Sequence, residues 1–121
     1  MAETSTSEQT PDQAFDRASD SIDDSVVVLI NIFKCEPRRQ DALMEHLTVL
    51  ARAQTTLPGF ISATLHRGLN GRTVANHAVW RSADDWKAMT RHPAVVQAMG
   101  PILAVATFEP HLYEPGEVIE P

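Results

Sequence analysis

Residues 25–33 read Ser25-Val26-Val27-Val28-Leu29-Ile30-Asn31-Ile32-Phe33, an almost unbroken run of β-branched and other apolar side chains. A run of this length and composition predicts a β-strand. Because polar side chains do not alternate with the apolar ones, we expect the strand to be buried on both of its faces. Asn31 is the one polar residue inside the run.

The residues that follow predict a helix and then a hairpin. The helix begins at Pro37, since proline is favoured in the first turn of a helix, and it ends at Pro58-Gly59. Its apolar face carries Leu43, Leu47, Leu50 and Ala51. Two strands are expected over 60–67 and 73–80. Asn70-Gly71 lies between them and suits a tight hairpin turn.

The remainder predicts a second helical region and a last strand. Ser82 is a good helix N-cap, and the carboxylates of Asp84 and Asp85 suit the first turn. A second helical piece is expected from Pro93 towards Met99, ending before Gly100-Pro101. The last strand is expected over 104–113, at a sheet edge because it contains a proline. The order β-α-β-β-α-β predicts a ferredoxin-like α+β fold with an antiparallel sheet.

The first strand also predicts a second copy of the chain. Helices cover one face of a ferredoxin-like sheet, and a strand that is apolar on both sides needs cover on the other face too. In a homodimer, the sheet of the partner supplies that cover. A compact domain of about 95 residues is also at the low end of what buries a self-sufficient core.

The net charge of −6 belongs to the N-terminal segment. Residues 1–25 hold seven acidic residues and one basic residue, and the rest of the chain is balanced. This composition predicts a flexible acidic tail over 1–24, with a short helix around 11–19 as an alternative. The domain is expected over 25–115, followed by a C-terminal tail over 116–121.

Composition also limits the kinds of partner and the cellular location that are expected. No basic patch indicates a nucleic-acid partner, and nothing indicates binding to a membrane. The single cysteine, Cys35, excludes an internal disulfide framework. The N-terminus lacks the basic start and apolar run of a signal peptide, so the cytoplasm is the expected location.

Strand parity brings three polar or amphipathic residues to one face. Asn31 shares a face with Phe33, and Asn76 shares a face with Trp80, while His77 points to the opposite side. If both faces meet the helices, the two amides and the indole converge in one cleft. Singly, each residue is more typical of packing. Together, two buried amides are hard to explain by packing, because each costs free energy unless it is hydrogen-bonded.

The remaining residues and motifs give weaker indications of a functional site. The five histidines show no metal-ligand spacing, so no metal is expected. No phosphate-binding loop, dinucleotide motif or nucleophile elbow is present. His66 shares parity with Ser62 and Thr64, so it lines the cleft or lies at its rim. The residues predicted to bind the substrate are Phe33, His66, Trp86 and Met89.

The chain resembles the antibiotic-biosynthesis monooxygenase family over about 25–114. The resemblance rests on a first strand with Asn31, on Pro58-Gly59-Phe60, on the Leu69-Asn70-Gly71 turn, on Asn76 followed by Trp80-Arg81-Ser82, and on a last strand with Tyr113. The resemblance implies a dimeric α+β barrel. These motifs recur in members of diverse function, so they identify the fold better than the activity.

One branch of that family matches further. Its members oxidise anthrones to quinones with O₂ and no metal or flavin, in aromatic polyketide biosynthesis. Asn31, Asn76 and Trp80 match the positions that serve the substrate there, which implies a cofactor-independent monooxygenase acting on a polycyclic aromatic phenol or anthrone. A haem-degrading branch needs a Trp and a His where this chain has Met89 and Met99. A non-catalytic ligand-binding or stress-response dimer and a quinol monooxygenase of general metabolism are the alternatives.

Overall fold

The computed structural model describes residues 25–121. The predicted acidic tail over 1–24 and the short helix expected around 11–19 lie outside the described residues. A 3₁₀ turn over Pro37–Arg39 precedes the first helix, and residues 114–121 follow the last strand without helix or strand. The elements are, in chain order, β1 (Val27–Cys35), α1 (Gln40–Gln54), β2 (Phe60–Arg67), β3 (Thr73–Trp80), α2 (Ala83–Met89), α3 (Pro93–Leu103) and β4 (Ala106–Tyr113).

The four strands form one antiparallel sheet in the order β2-β3-β1-β4. β1 and β3 are the central strands, and β2 and β4 are the edges. This is the ferredoxin-like β-α-β-β-α-β arrangement, so the predicted fold class is confirmed. β4 is an edge strand, as predicted, and there Pro110 can lack a backbone N–H without breaking a central hydrogen-bond ladder.

The two faces of the sheet differ in burial. Along β1, Val27, Leu29, Asn31 and Phe33 are buried on the face that packs against the helices. The side chains between them, from Val28 to Ile32, are only half-buried. α1 covers the buried face with Leu43, Leu47 and Leu50, the helical stripe that the sequence predicts. The hydrophobic core therefore lies between the sheet and the helices.

The second helical region matches the prediction at its start but not at its end. Ser82 Oγ accepts a hydrogen bond from the backbone N–H of Asp85 at 3.0 Å, which caps α2 as predicted. α3 was expected to end before Gly100-Pro101, but it continues to Leu103 with Pro101 inside it. The missing N–H of Pro101 costs one helical hydrogen bond. The complete burial of Ile102 in the core offsets that loss.

Candidate active site

Asn31 and Asn76 face each other across the two central strands. They are direct partners in the β1–β3 register. Both side chains lie on the helix-facing side, where Asn31 is 8 % exposed and Asn76 is 6 % exposed. The pairing follows from strand geometry alone, since β1 and β3 run against each other without a register shift. Both amides therefore lie on the face of the sheet that strand parity predicts.

A cavity of about 260 Å³ lies between this face of the sheet and the helices. Its polar wall consists of three amides, Asn31, Gln54 and Asn76, together with Thr90. Phe33 and Phe108 form a stacked pair in the wall, with ring centroids 5.6 Å apart. The other apolar lining residues are Leu29, Leu50, Trp86, Val95, Pro110, Met89 and Met99. A compact, mostly apolar cavity with a few convergent polar groups is typical of a small-molecule site.

The carbonyl oxygens of the two strand amides have no partner among residues 25–121. Oδ1 of Asn31 and Oδ1 of Asn76 are both buried and accept no hydrogen bond from residues 25–121. Buried amides in folded proteins are almost always hydrogen-bonded, and an orphaned one costs free energy. Rotation of each amide by half a turn exchanges its oxygen for its NH₂ group, so each can offer an acceptor or a donor to the cavity.

Of the residues predicted to bind the substrate, Phe33, Trp86 and Met89 line the cavity. They come from the middle of β1 and from one face of α2, as the apolar pattern of those segments indicates. These side chains provide flat and flexible apolar surface beside the amides. The structure therefore brings together both predicted amides and three of the four predicted substrate contacts.

Trp80 departs from the prediction that it lines the same cleft. Its side chain is completely buried on the helix-facing side, but it is not among the residues of the cavity wall. It packs edge-on against Phe60, with ring centroids 5.3 Å apart. It lies four positions beyond Asn76, which is about 13 Å along β3. Its Nε1–H is nevertheless buried and has no hydrogen-bond partner in the described part of the chain.

His66 also departs from the prediction, because β2 changes register near its start. The shift lies between Phe60 and Ser62. A one-residue shift moves every later side chain to the opposite face of a strand. Leu65, which pairs with Asn76, therefore faces the helices, and His66 faces the other side, where it is exposed. His66 does not reach the cavity wall.

Gln54 is a wall residue that the sequence analysis missed. It is the last residue of α1 and is 5 % exposed. A signal was present, since the apolar stripe at 43, 47 and 50 extends by helical spacing to 54. The residue was overlooked because a glutamine at a helix end is ordinarily solvated.

The cavity wall formed by residues 25–121 contains no titratable side chain. Burial, and then the nearby carboxylate of Glu36, raises the pKa of the Cys35 thiol, which lies at the end of β1 and away from the cavity. The hydrogen bond from His111, at 3.0 Å, lowers the pKa of the exposed Glu109 carboxyl. No protein group in the described wall is therefore placed to act as a general base.

Over 25–121, no group of three or more His, Cys, Asp or Glu side chains is arranged to hold a metal ion. None of the helices in that range is both long enough and apolar enough to cross a membrane.

Residues 26–100 match the family model described as antibiotic biosynthesis monooxygenase. The match covers more than half of the chain, including both strand amides and α2. The chain belongs to the antibiotic biosynthesis monooxygenase family. The family that the sequence resembles is therefore confirmed, and the ferredoxin-like fold is the one expected for this monooxygenase family.

This family member has a relative that is named for an enzymatic activity. It is 39 % identical over 66 residues to the tetracenomycin F1 monooxygenase of Streptomyces glaucescens, and the match covers 54 % of this chain and 59 % of the relative. The match thus spans less than two thirds of that relative's length.

Solved structures establish the shared fold. SnoaB, a cofactor-independent oxygenase from Streptomyces nogalater, superposes with a TM-score of 0.64 and 22 % identity, covering 78 % of this chain and 97 % of SnoaB. Rv0793 from Mycobacterium tuberculosis superposes with a TM-score of 0.68 and 17 % identity, covering 79 % of this chain and 100 % of Rv0793. These identities support the common architecture only.

Proposed function

We propose that this family member is a cofactor-independent monooxygenase that oxidises a polycyclic aromatic phenol or anthrone to a quinone with O₂, as in aromatic polyketide biosynthesis. One observation carries the proposal: Asn31 and Asn76 are paired across the central strands, buried in a mostly apolar cavity, and without protein partners for their carbonyl oxygens. Turned by half a turn, each amide presents its NH₂ group to the cavity, and two neutral donors in apolar surroundings suit an anionic aromatic intermediate.

The chemistry needs no external reductant. An anthrone carries a CH₂ group opposite its ketone, and the reaction converts this group to a second carbonyl. One oxygen atom of O₂ enters the quinone, and the other leaves as water with the two hydrogens. The substrate supplies all four electrons that reduce O₂. Oxygenases usually use a cofactor to pass electrons singly to O₂, but a deprotonated anthrone is itself a good one-electron donor.

The residues of the cavity would favour the anion and exclude water. The NH₂ groups of Asn31 and Asn76 can donate hydrogen bonds to the oxygen on which negative charge develops. The aromatic and aliphatic walls hold the rings and keep the local dielectric low, which strengthens these hydrogen bonds. Since the described wall contains no titratable side chain, a water molecule accepts the proton, helped by the acidity of the anthrone.

The names of two relatives support the same reaction class. The relative with 39 % identity is a tetracenomycin F1 monooxygenase, and SnoaB is a cofactor-independent oxygenase. A non-catalytic ligand-binding dimer is the alternative, and it is consistent with a wall that contains no general base.

Oxygen uptake separates the two functions. Protein treated with a chelator to remove metals is mixed with a panel of anthrones and naphthols, while an oxygen electrode and absorbance follow O₂ and quinone. We expect saturable O₂ uptake with at least one anthrone, faster than its spontaneous oxidation. Tight binding of anthrones with no acceleration of their oxidation would favour the binding protein instead.

We also propose a homodimer. The outer face of the sheet carries Val28, Ile30 and Ile32 from β1 and Ala75 and Val79 from β3, all only half-buried in a single chain. This apolar strip, which is interrupted on β3 by the exposed His77, supports pairing with a second copy. The cytoplasmic location stays a prediction from the sequence.

Haem is expected not to be a substrate. Met89 and Met99, which stand where the haem-degrading branch has Trp and His, both line the cavity, and neither can supply the imidazole ligand. Titration with haemin should therefore give no spectrum of an axial histidine complex, and a reductant should cause no ring opening. A stoichiometric histidine-ligated haem that is degraded would contradict this expectation.

The Trp80→Phe variant tests the third residue of the predicted site. The predicted role of Trp80 as a donor requires its orphaned indole N–H to reach the bound rings from behind the cavity wall. Phenylalanine keeps most of the packing, and no hydrogen bond within residues 25–121 is lost, so the free energy of unfolding should fall by about 1 kcal/mol, the cost of the small cavity left by the indole. If the indole serves as that donor, turnover should fall by about threefold, the loss of one neutral hydrogen bond. Unchanged turnover would assign Trp80 to packing alone.

A further inference from the structure

The helix side of the cavity carries a polar group that the proposed oxidation does not use. Gln54, at the end of α1, is buried and lies in the cavity wall beside Leu50. A glutamine amide has two N–H donors and a carbonyl oxygen with two acceptor positions. Burial of such a group is costly unless these atoms find partners.

Gln54 is poorly paired by the protein. Its Nε2 donates to Met89 Sδ at 3.3 Å, a buried contact to a weak acceptor. Its Oε1 accepts no hydrogen bond from any residue of 25–121. Because the amide is planar, the contact through Nε2 directs Oε1 away from the sulfur of Met89. Gln54 therefore offers the cavity a carbonyl acceptor whose orientation Met89 helps to fix.

A second buried glutamine on the same helix shows what a purely structural role looks like. Gln40 is 8 % exposed, and its Nε2 donates to the backbone oxygens of Gly68 and Thr73 at 3.0 and 2.9 Å. Its Oε1 accepts from Arg67 Nη1 at 3.3 Å. Every end of the Gln40 amide is therefore paired, and it joins α1 to the β2–β3 hairpin. Gln54 joins no elements through its oxygen.

We propose that Oε1 of Gln54 accepts a hydrogen bond from a phenolic hydroxyl on the rings of the substrate, so that the cavity selects aromatics with a free hydroxyl. This inference rests on the proposed function, since it names a feature of the substrate for the same cavity. The sheet amides, Asn31 and Asn76, meet the oxygen that becomes anionic. Gln54 meets a second, neutral oxygen from the helix side and thereby sets the direction in which the rings enter.

The test is the equilibrium binding of two quinones that cannot be oxidised further, 2-hydroxyanthraquinone and 2-methoxyanthraquinone. A hydroxyl at position 1 bonds internally to the quinone carbonyl, so position 2 is the one with a free donor. Binding is followed by quenching of tryptophan fluorescence below neutral pH, where the hydroxyl keeps its proton. Wild type should bind the hydroxy compound about tenfold more tightly than the methoxy compound.

Matched variants assign that preference to the Gln54 amide. In Gln54→Met, which keeps the length of the side chain and removes the amide, the two affinities should agree within about twofold. Gln40→Met should keep the tenfold preference, although it lowers stability, because Gln40 lies outside the cavity wall. Gln54→Leu serves the same purpose as Gln54→Met if the latter does not fold.

Equal affinities in wild type, a preference that persists without the Gln54 amide, or failure of both quinones to bind would each overturn the inference. The assay needs no O₂ and no turnover. A hydroxyl preference without any O₂ uptake would therefore contradict the proposed function and leave the role of Gln54 standing. Turnover of anthrones without that preference would support the proposed function and contradict the role of Gln54.

Discussion

Asn31→Ala and Asn76→Ala are each expected to slow the turnover of an anthrone by about 5- to 30-fold, which corresponds to about 1–2 kcal/mol. Each variant removes one donor to the oxygen that becomes anionic. The charge is spread over fused rings, so the loss is smaller than the roughly 2.7–4 kcal/mol measured for a donor to a localised oxyanion. The effect should fall on kcat more than on KM, because the hydrogen bond strengthens as charge develops.

Steady-state kinetics of quinone formation measures both constants. Asn70→Ala is the matched control, since Asn70 lies in the β2–β3 turn, outside the cavity wall, and its side chain accepts hydrogen bonds from the backbone N–H of Arg72 and the hydroxyl of Thr73. That variant should lose some stability and keep its turnover. If both Asn31→Ala and Asn76→Ala kept the wild-type kcat, the assignment of the site would be wrong whatever the fold.

The same site predicts opposite changes in stability and activity. Asn31→Leu replaces an amide, whose oxygen has no partner in the described part of the chain, with an apolar side chain of similar size. Removing a buried, unsatisfied polar group should raise the free energy of unfolding by about 1 kcal/mol. The variant should nevertheless turn over as slowly as Asn31→Ala. A more stable protein with less activity is the expected signature of a residue retained for function.

The second large effect is expected for Ile32→Asp, which should convert the proposed homodimer into monomers. Ile32 lies on the outer face of β1, where its neighbours across the sheet are Ala75 and Glu109. A carboxylate at this position would be buried in the interface beside another carboxylate, and an unpaired buried charge costs several kcal/mol. That cost is expected to exceed the free energy of association of the two chains.

Light scattering after gel filtration at micromolar concentration gives the mass. Val96→Asp is the matched control, since Val96 is a β-branched residue on α3 that is 57 % exposed. It should leave the mass at two chains. A wild-type protein that is monodisperse at one chain would contradict the proposed dimer, and so would an Ile32→Asp variant that still forms dimers at these concentrations.

The sequence predicts most of the fold because local patterns and tertiary packing agree. Where a strand has no irregularity, parity is reliable, and it places Asn31 and Asn76 on one face. It fails for His66, because the register shift near Phe60 depends on pairing with β3 and leaves no trace in the sequence of β2. The end of α3 was missed because the burial of Ile102 outweighs the local effect of Pro101.

The site is harder to predict than the fold, because a cavity wall is a property of several elements at once. Trp80 has the parity of Asn76 but lies too far along β3 to reach the cavity wall. Gln54 belongs to the wall only because the end of α1 meets Met89 of α2, a contact between segments 35 residues apart. Patterns within one helix or strand give the direction of a side chain, but not the depth at which another element covers it.

The central claim is that the protein inserts one oxygen atom from O₂ into an aromatic substrate without a cofactor. Its most direct test is turnover of an anthrone under ¹⁸O₂ by metal-free protein, with mass spectrometry of the quinone and measurement of O₂ consumed. We expect one labelled oxygen in each quinone, one O₂ consumed for each quinone formed, and no hydrogen peroxide. An unlabelled quinone, stoichiometric hydrogen peroxide, or dependence of the rate on an added metal or flavin would contradict the account.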